Sequence, residues 1–182
     1  MICSAAALFS SRGLSGTSFS DVIADSGAPR GSIYHHFPGG KTQLAADVIA
    51  WTSEQVLAHL RACPADTARG VLAWFIELWR RSVQASGASA GCPVAGIVVD
   101  VDRDADAGAA AGDLTGQARA AFADWTGVLA GQLQATGMPE ARARSVATAS
   151  LAAMEGALIL CRVERSSVPL EDTARELLNL VP

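Results

Sequence analysis

Ser18-Phe19-Ser20-Asp21-Val22-Ile23-Ala24-Asp25-Ser26-Gly27-Ala28-Pro29-Arg30-Gly31-Ser32-Ile33-Tyr34-His35-His36-Phe37 is the stretch on which the fold turns. Ser18, with Asp21 three residues on, has the arrangement of a capping box, in which hydroxyl and carboxylate each satisfy a backbone N–H at a helix start. The helix so opened is expected to bury Phe19, Val22 and Ile23 and to end near Ser26-Gly27. Pro29 suits the first position of the next helix, because its missing N–H would be unpaired there anyway. That helix, residues 30–36, is too short to stand alone and must pack through Ile33 and Phe37. Two short helices joined by a glycine turn, the second polar at its N-terminal end, form a helix-turn-helix. The tip Ala28-Pro29-Arg30-Gly31-Ser32 is small and hydrogen-bonding, as entry into a DNA major groove requires. Arg30 can pair bidentately with guanine or clamp a phosphate, and Gly31 allows close approach. Thr17 or Ser18 at one helix N-terminus, and Lys41 at the next, are placed to hold phosphates.

Outward from this stretch the pattern stays helical. Ile2, Ala5, Ala6, Leu8 and Phe9 follow helical spacing, with Gly13 as a left-handed stop. Pro38-Gly39-Gly40 breaks the chain before a long helix carrying Leu44, Val48, Trp51, Gln55 and Leu60, which stops by Pro64. Asp66 or Thr67 caps the next helix. Its apolar residues (Val71, Leu72, Trp74, Phe75, Ile76, Leu78, Trp79) cover almost the whole circumference, so it is expected to be central and buried. A small-residue loop over residues 87–91 leads to Cys92-Pro93 and an apolar run over 94–101. Residues 100–112 are acidic and small, the pattern of an exposed connection. Ala118, Ala121, Phe122, Trp125, Leu129 and Leu133 mark an amphipathic helix ended by Gly137-Met138-Pro139, and two more are expected over 140–163 and 169–180. No β-alternation of useful length occurs, so the fold class is all-α. The expected division is a three-helix helix-turn-helix domain at residues 1–47 and a second helical domain at 48–182.

Composition narrows the function classes. The chain has 182 residues, 50% hydrophobic, enough for one domain or two small modules with a real core. The net charge of −4 opposes a basic coat, so nucleic-acid contact must be local. The segment 145–161 carries Glu155 and several hydroxyl residues and falls short of the roughly 20 apolar residues a bilayer needs. With no secretory leader pattern at Met1, a cytoplasmic location is expected. Cys3, Cys63, Cys92 and Cys161 lack paired spacing, so neither a zinc site nor a disulfide framework is indicated. Asp100, Asp102, Asp104 and Asp106 do not make a calcium loop, because Ala107 and Asp113 stand where glycine and a bidentate glutamate belong. His35 and His36 diverge by about 100° on a helix and cannot clamp one metal. Gly87-Ala88-Ser89-Ala90-Gly91 has the spelling of a hydrolase nucleophile turn, but a helix rather than a strand precedes it. No cofactor, metal or catalytic constellation is indicated.

The runs Gly13-Leu14-Ser15-Gly16-Thr17-Ser18-Phe19, Val22-Ile23-Ala24 and Gly31-Ser32-Ile33-Tyr34-His35-His36-Phe37 resemble the N-terminal domain of TetR-family transcriptional regulators. Tyr34 to Lys41, with Gly91-Cys92-Pro93-Val94-Ala95 further on, resembles the LmrA/YxaF-like subgroup. The resemblance implies that Thr17, Arg30, Gly31, Ser32, Tyr34, His35 and Lys41 touch DNA, with His36 and Phe37 as packing residues. It implies a repressor acting as a homodimer on a pseudo-palindromic operator, with the last two helices forming a four-helix bundle across the two-fold axis. It also implies a few further residues, often basic, ahead of the first helix. Residues 1–47 carry three cations (Arg12, Arg30, Lys41) against three anions (Asp21, Asp25, Asp47), a neutral head that points to a start upstream of Met1.

In a regulator of this kind the second domain would bind a small effector, aromatic or apolar, whose arrival releases DNA. Trp74, Leu78 and Trp79 on one helix and Phe122 and Trp125 on a later one are the expected lining, with Ile97 and Val98 closing one end. Glu155, the one acid in segment 145–161, is exposed, paired across a dimer, or a polar anchor for the ligand. Ala149, Ala153 and Ala157 permit close helix approach at a dimer seam or an internal one, and Leu170, Ala174, Leu177, Leu178 and Val181 form a stripe facing a partner or the preceding helix. The competing classes are a helical enzyme and an effector-free DNA-binding protein.

Overall fold

The computed structural model describes residues 1–101 and 108–181, with side chains from 1 to 101 and from 113 to 181. Among the described residues all regular structure is helical: α1 (Ile2–Arg12), α2 (Phe19–Ser26), α3 (Ser32–His36), α4 (Gly40–Arg61), α5 (Ala68–Ala85), α6 (Pro93–Val101), α7 (Gly108–Ala135), α8 (Glu140–Glu164) and α9 (Val168–Asn179). The chain packs as two compact units that are not contiguous in sequence. One comprises Met1–Glu54 with Cys92–Ala121; the other comprises Gln55–Gly91 with Phe122–Pro182. Both boundaries that interrupt a helix fall inside α4 and α7.

In the first unit the core is built from Ala5 and Phe9 of α1, Val22 of α2, Ile33 of α3, and Leu44 and Val48 of α4. Val94, Ile97 and Val101 of α6 are buried with them, and α6 packs along α1. Gly96 makes that close approach possible, since a Cβ there would lie 2.6 Å from the Phe9 carbonyl oxygen. Two expectations are corrected here. Residue 100 belongs to α6, and α7 already begins at Gly108, so helix takes up both ends of the segment 100–112 that was expected to be a connection. The remaining acidic positions, Asp102, Asp104 and Asp106, lie outside the described residues.

In the second unit α8 and α9 pack on each other and both pack on α5. Thr67 caps α5 by accepting the Gly70 N–H at 3.2 Å. Helix α5 is amphipathic rather than buried all round. Val71, Leu72, Phe75, Ile76, Trp79 and Val83 are buried, while Trp74 and Leu78 are half-buried beside Glu77 and Arg80. Arg80 forks onto Glu171 of α9, Nε and Nη2 donating at 2.7 and 2.8 Å, and a third donor reaches Glu77 at 2.9 Å. Leu170, Ala174, Leu177 and Val181 are buried, so the α9 stripe faces its own chain. Helix α8 is long and apolar enough by length and composition to cross a bilayer. Here one face, including Val146, Met154 and Leu158, is buried in the unit.

Candidate nucleic-acid interface

The capping box forms as the residue types require. Ser18 Oγ accepts the Asp21 N–H at 3.2 Å, and the Asp21 carboxylate takes the Ser18 N–H at 2.8 Å. Ser18 is the main cause that lowers the Asp21 pKa below the usual carboxylate range, through its hydroxyl and then its N–H, with Arg12 and Lys41 adding smaller attractions. The carboxylate therefore stays charged and keeps α2 capped. Thr17 lies just ahead, 2% exposed, its hydroxyl donating to the Gly13 carbonyl at 2.9 Å. The Thr17 side chain fixes the turn, while Ser18 stands in solvent. An open groove of about 480 Å³ runs along this corner, lined by Ser15, Gly16, Thr17, Ser18, Phe19, Asp21 and Lys41. The α2 N-terminus and the Lys41 ammonium thus share one groove.

Helix α2 ends at Gly27, whose left-handed φ of 67° returns its N–H to the Ile23 carbonyl at 3.0 Å. Phe19 and Ile23 are half-buried and only Val22 of the three expected residues is fully enclosed. Pro29 does not open α3. It opens a turn in which Ser32 N–H donates to the Pro29 carbonyl at 2.9 Å, and the helix begins at Ser32. The shift follows from length: a helix of five residues has no interior turn to hold Pro29 and Arg30 in register. Pro29, Arg30 and Gly31 are exposed and Ser32 is half-exposed. Tyr34 is 67% exposed, its ring edge-on to Phe19 at 5.5 Å. Arg30 and Tyr34 line a cleft of about 340 Å³ with Ser20, Ile23 and Ala24 of α2. His35 is exposed. So is His36, which corrects its expected packing role; Phe37, with Ile33, supplies the burial.

The residues expected to line an effector pocket fall in different places. Ile97 is fully buried in the first unit, against α1. Trp74, Leu78, Trp79, Phe122, Trp125 and Glu155 belong to the second. Trp74 is engaged by His59: the rings stack at 4.6 Å and the indole N–H donates to the His59 carbonyl at 2.7 Å. His59 Nε2 lies 2.8 Å from the Trp74 carbonyl, which can only accept, so Nε2 carries the hydrogen. Trp125 is 1% exposed and meets Phe122 edge-to-face at 5.2 Å. Trp79 meets Phe75 edge-on at 6.0 Å, and its indole N–H is buried with no acceptor among the described residues. Two contacts had no readable signal. Asp100 accepts the Ser15 N–H at 3.0 Å, and Glu171 holds Arg80, pairings 85 and 91 residues apart.

Comparison with known proteins agrees with this geometry. Residues 2–48 match the family model of bacterial regulatory proteins of the tetR family, and residues 68–176 match the LmrA/YxaF-like transcriptional regulator C-terminal domain. The HTH-type transcriptional regulator Rv0196 of Mycobacterium tuberculosis is 36% identical over all of this chain and 92% of its own. LmrA of Bacillus subtilis, an HTH-type transcriptional regulator, is 33% identical over 93% of this chain and 88% of its own. Among solved structures, a TetR transcriptional regulator from Legionella pneumophila superposes with a TM-score of 0.86 at 21% identity, covering 100% of this chain and 95% of that one. That likeness shows the fold. A TetR regulator from Chloroflexus aurantiacus gives 0.74 at 26% identity, covering 98% and 90%. With the capped α2, the exposed tip of α3 and both halves of the chain matched, the protein belongs to the TetR family of bacterial transcriptional regulators, in its LmrA/YxaF-like branch.

Proposed function

We infer that this regulator is a ligand-responsive repressor that binds a pseudo-palindromic operator as a homodimer and is released by a small aromatic or apolar effector. The observation that carries the DNA part is the convergence of exposed hydrogen-bonding groups on the helix-turn-helix. Ser18 and Lys41 share one groove, and Arg30 and Tyr34 share the adjacent cleft. Ser18, Lys41 and the α2 N–H groups hold phosphates; Arg30, Gly31, Ser32, Tyr34 and His35 meet the major groove, with Pro29 shaping the tip and Thr17 holding the turn behind it. Function divides the chain at residues 1–47, the reading head, and 48–182, the effector and dimer part. It acts in the cytoplasm, where the DNA is.

The dimer is supported by the outward face of α8. Ala149, Ala152, Gly156, Ile159 and Val163 recur at spacings of three and four and are exposed, Ile159 by 64% and Val163 by 78%. Small residues followed by branched apolar ones make a seam along which a second copy of the helix packs closely. A dimer on a pseudo-palindromic operator would place its two heads in successive major grooves about 34 Å apart. Effector binding is supported by the aromatics Trp79, Phe122 and Trp125 of the second unit, together with the half-buried Trp74, Leu78 and Glu155. The indole N–H of Trp79 and the hydroxyl of Ser150 are buried donors with no partner among the described residues, and a ligand acceptor would satisfy them.

A gel shift against the intergenic DNA upstream of the protein's own gene tests the reading. The expected result is a salt-sensitive complex with one protein dimer, dissolved by an aromatic effector that also quenches tryptophan fluorescence. Binding that is equal on random DNA of the same length overturns the operator reading. Quenching without release overturns the effector's role.

A further inference from the structure

Asp100 stands at the end of α6, and its surroundings tie it to the turn ahead of α2. The Ser15 N–H donates to its Oδ2 at 3.0 Å. Gly13, at a φ of +75°, lies so near that a Cβ there would stand 2.2 Å from the same oxygen. One turn earlier, Gly96 sets α6 directly on the α1 backbone. The carboxylate is therefore held by close α1–α6 packing, with its Oδ2 against the Ser15 amide of the turn. That turn runs straight into Thr17 and Ser18, so the N-terminus of α2 inherits its pose.

We propose that Asp100 is a positioning residue for operator binding, holding the 13–16 turn in the form that presents Ser18 and the α2 N–H groups to a phosphate. The inference rests on the reading that this head binds an operator. It deepens that reading by assigning part of the head's geometry to α6, which lies within the residues matched by the C-terminal family model. The sign of the effect separates positioning from charge. Removing a carboxylate from a DNA-binding surface ordinarily tightens binding, because one phosphate repulsion is lost. Positioning demands the reverse for alanine, which cannot accept the Ser15 N–H. Asparagine keeps an acceptor oxygen and so keeps the turn.

The test uses the full chain and a duplex that the wild-type protein selects from a randomised pool. Asp100→Ala is expected to bind that duplex about tenfold more weakly, with the salt slope unchanged, the loss expected when a charge-assisted hydrogen bond is removed. Asp100→Asn is expected to bind as tightly as wild type or more tightly. Alanine binding as well as wild type overturns the proposal, and so does equal weakening by both variants. Should the alanine variant not fold, Ser15 amide exchange in the wild-type chain and operator binding by Asp100→Asn decide together: open-loop exchange or weakened asparagine binding overturns the proposal, and a protected amide with asparagine binding retained upholds it. A wild-type chain that selects no duplex overturns operator binding and the positioning role together, while the Ser15 exchange still reports separately whether the bond is made.

Discussion

At the scale of single residues, the proposed DNA reading assigns some side chains of the helix-turn-helix to bases and others to phosphates or to the turn. Arg30 and Tyr34 are exposed on one cleft, whereas Lys41 shares a groove with the capped N-terminus of α2. A base-reading arginine and a phosphate-holding lysine differ in what their loss does. Arg30→Ala should cost about 1–3 kcal/mol at the operator and relax discrimination at one base pair. Lys41→Ala should weaken binding to all sequences alike and lower the salt slope by about one. Titrations on specific and random duplexes at several salt concentrations measure both; equal, sequence-blind losses would make Arg30 a phosphate contact only. Thr17 belongs with the residues that hold, since its hydroxyl is spent on Gly13.

At the scale of elements, α5 and α9 are joined by a charge network that no local pattern announces. Arg80 is the first cause that holds the Glu171 pKa below the usual glutamate range. Because that pKa is lower folded than unfolded, the pair stabilises the fold above the unfolded glutamate pKa, about 4.3. The contribution fades as the pH falls from there through the folded value. Both side chains keep partial contact with water, so the pair is worth about 1 kcal/mol or less. Glu171→Gln should lower stability slightly at neutral pH and flatten the acid limb of a denaturant-midpoint profile below the unfolded glutamate pKa of about 4.3. Coincident acid limbs for variant and wild type would show that the network does not couple to folding. Helix α2 offers a companion measurement. Ser18→Ala removes the cap and should cost about 1 kcal/mol, read as a lower Tm together with weaker DNA binding.

At the scale of the whole molecule, the position of the apolar surface decides where a second copy sits. The stripe on α9 is occupied by its own chain, so Leu177→Asp with Leu178→Asp would unfold the unit rather than split a dimer. The exposed α8 face is the place to test. Ile159→Glu with Val163→Glu puts like charges across a two-fold seam while leaving the buried face untouched. Sedimentation should then give monomers with an unchanged helical signal, and operator affinity should fall steeply because each head binds alone. A dimer that survives both substitutions would place the interface on another face.

Local chemistry was enough for much of this. The capping box, the Gly27 stop, the helix breaks at Pro38-Gly39 and Pro64, and the all-α class all rest on interactions within a few residues, where sequence order and spatial order coincide. The family membership was legible for the same reason, since its spelling lies in one short continuous stretch, and it removes the enzyme reading. The tertiary structure decided what depends on distant neighbours. Whether an apolar stripe is core or surface cannot be read from its period, because α8 carries one on each of two faces and only packing against α5 and α9 says which is covered. The pairing of α6 with α1, and of Asp100 with Ser15, joins residues 85 apart through two glycine approaches that leave no periodic trace. Ile97, expected at one end of a pocket from its place on the apolar run after Pro93, is fully buried in the first unit, where α6 packs on α1.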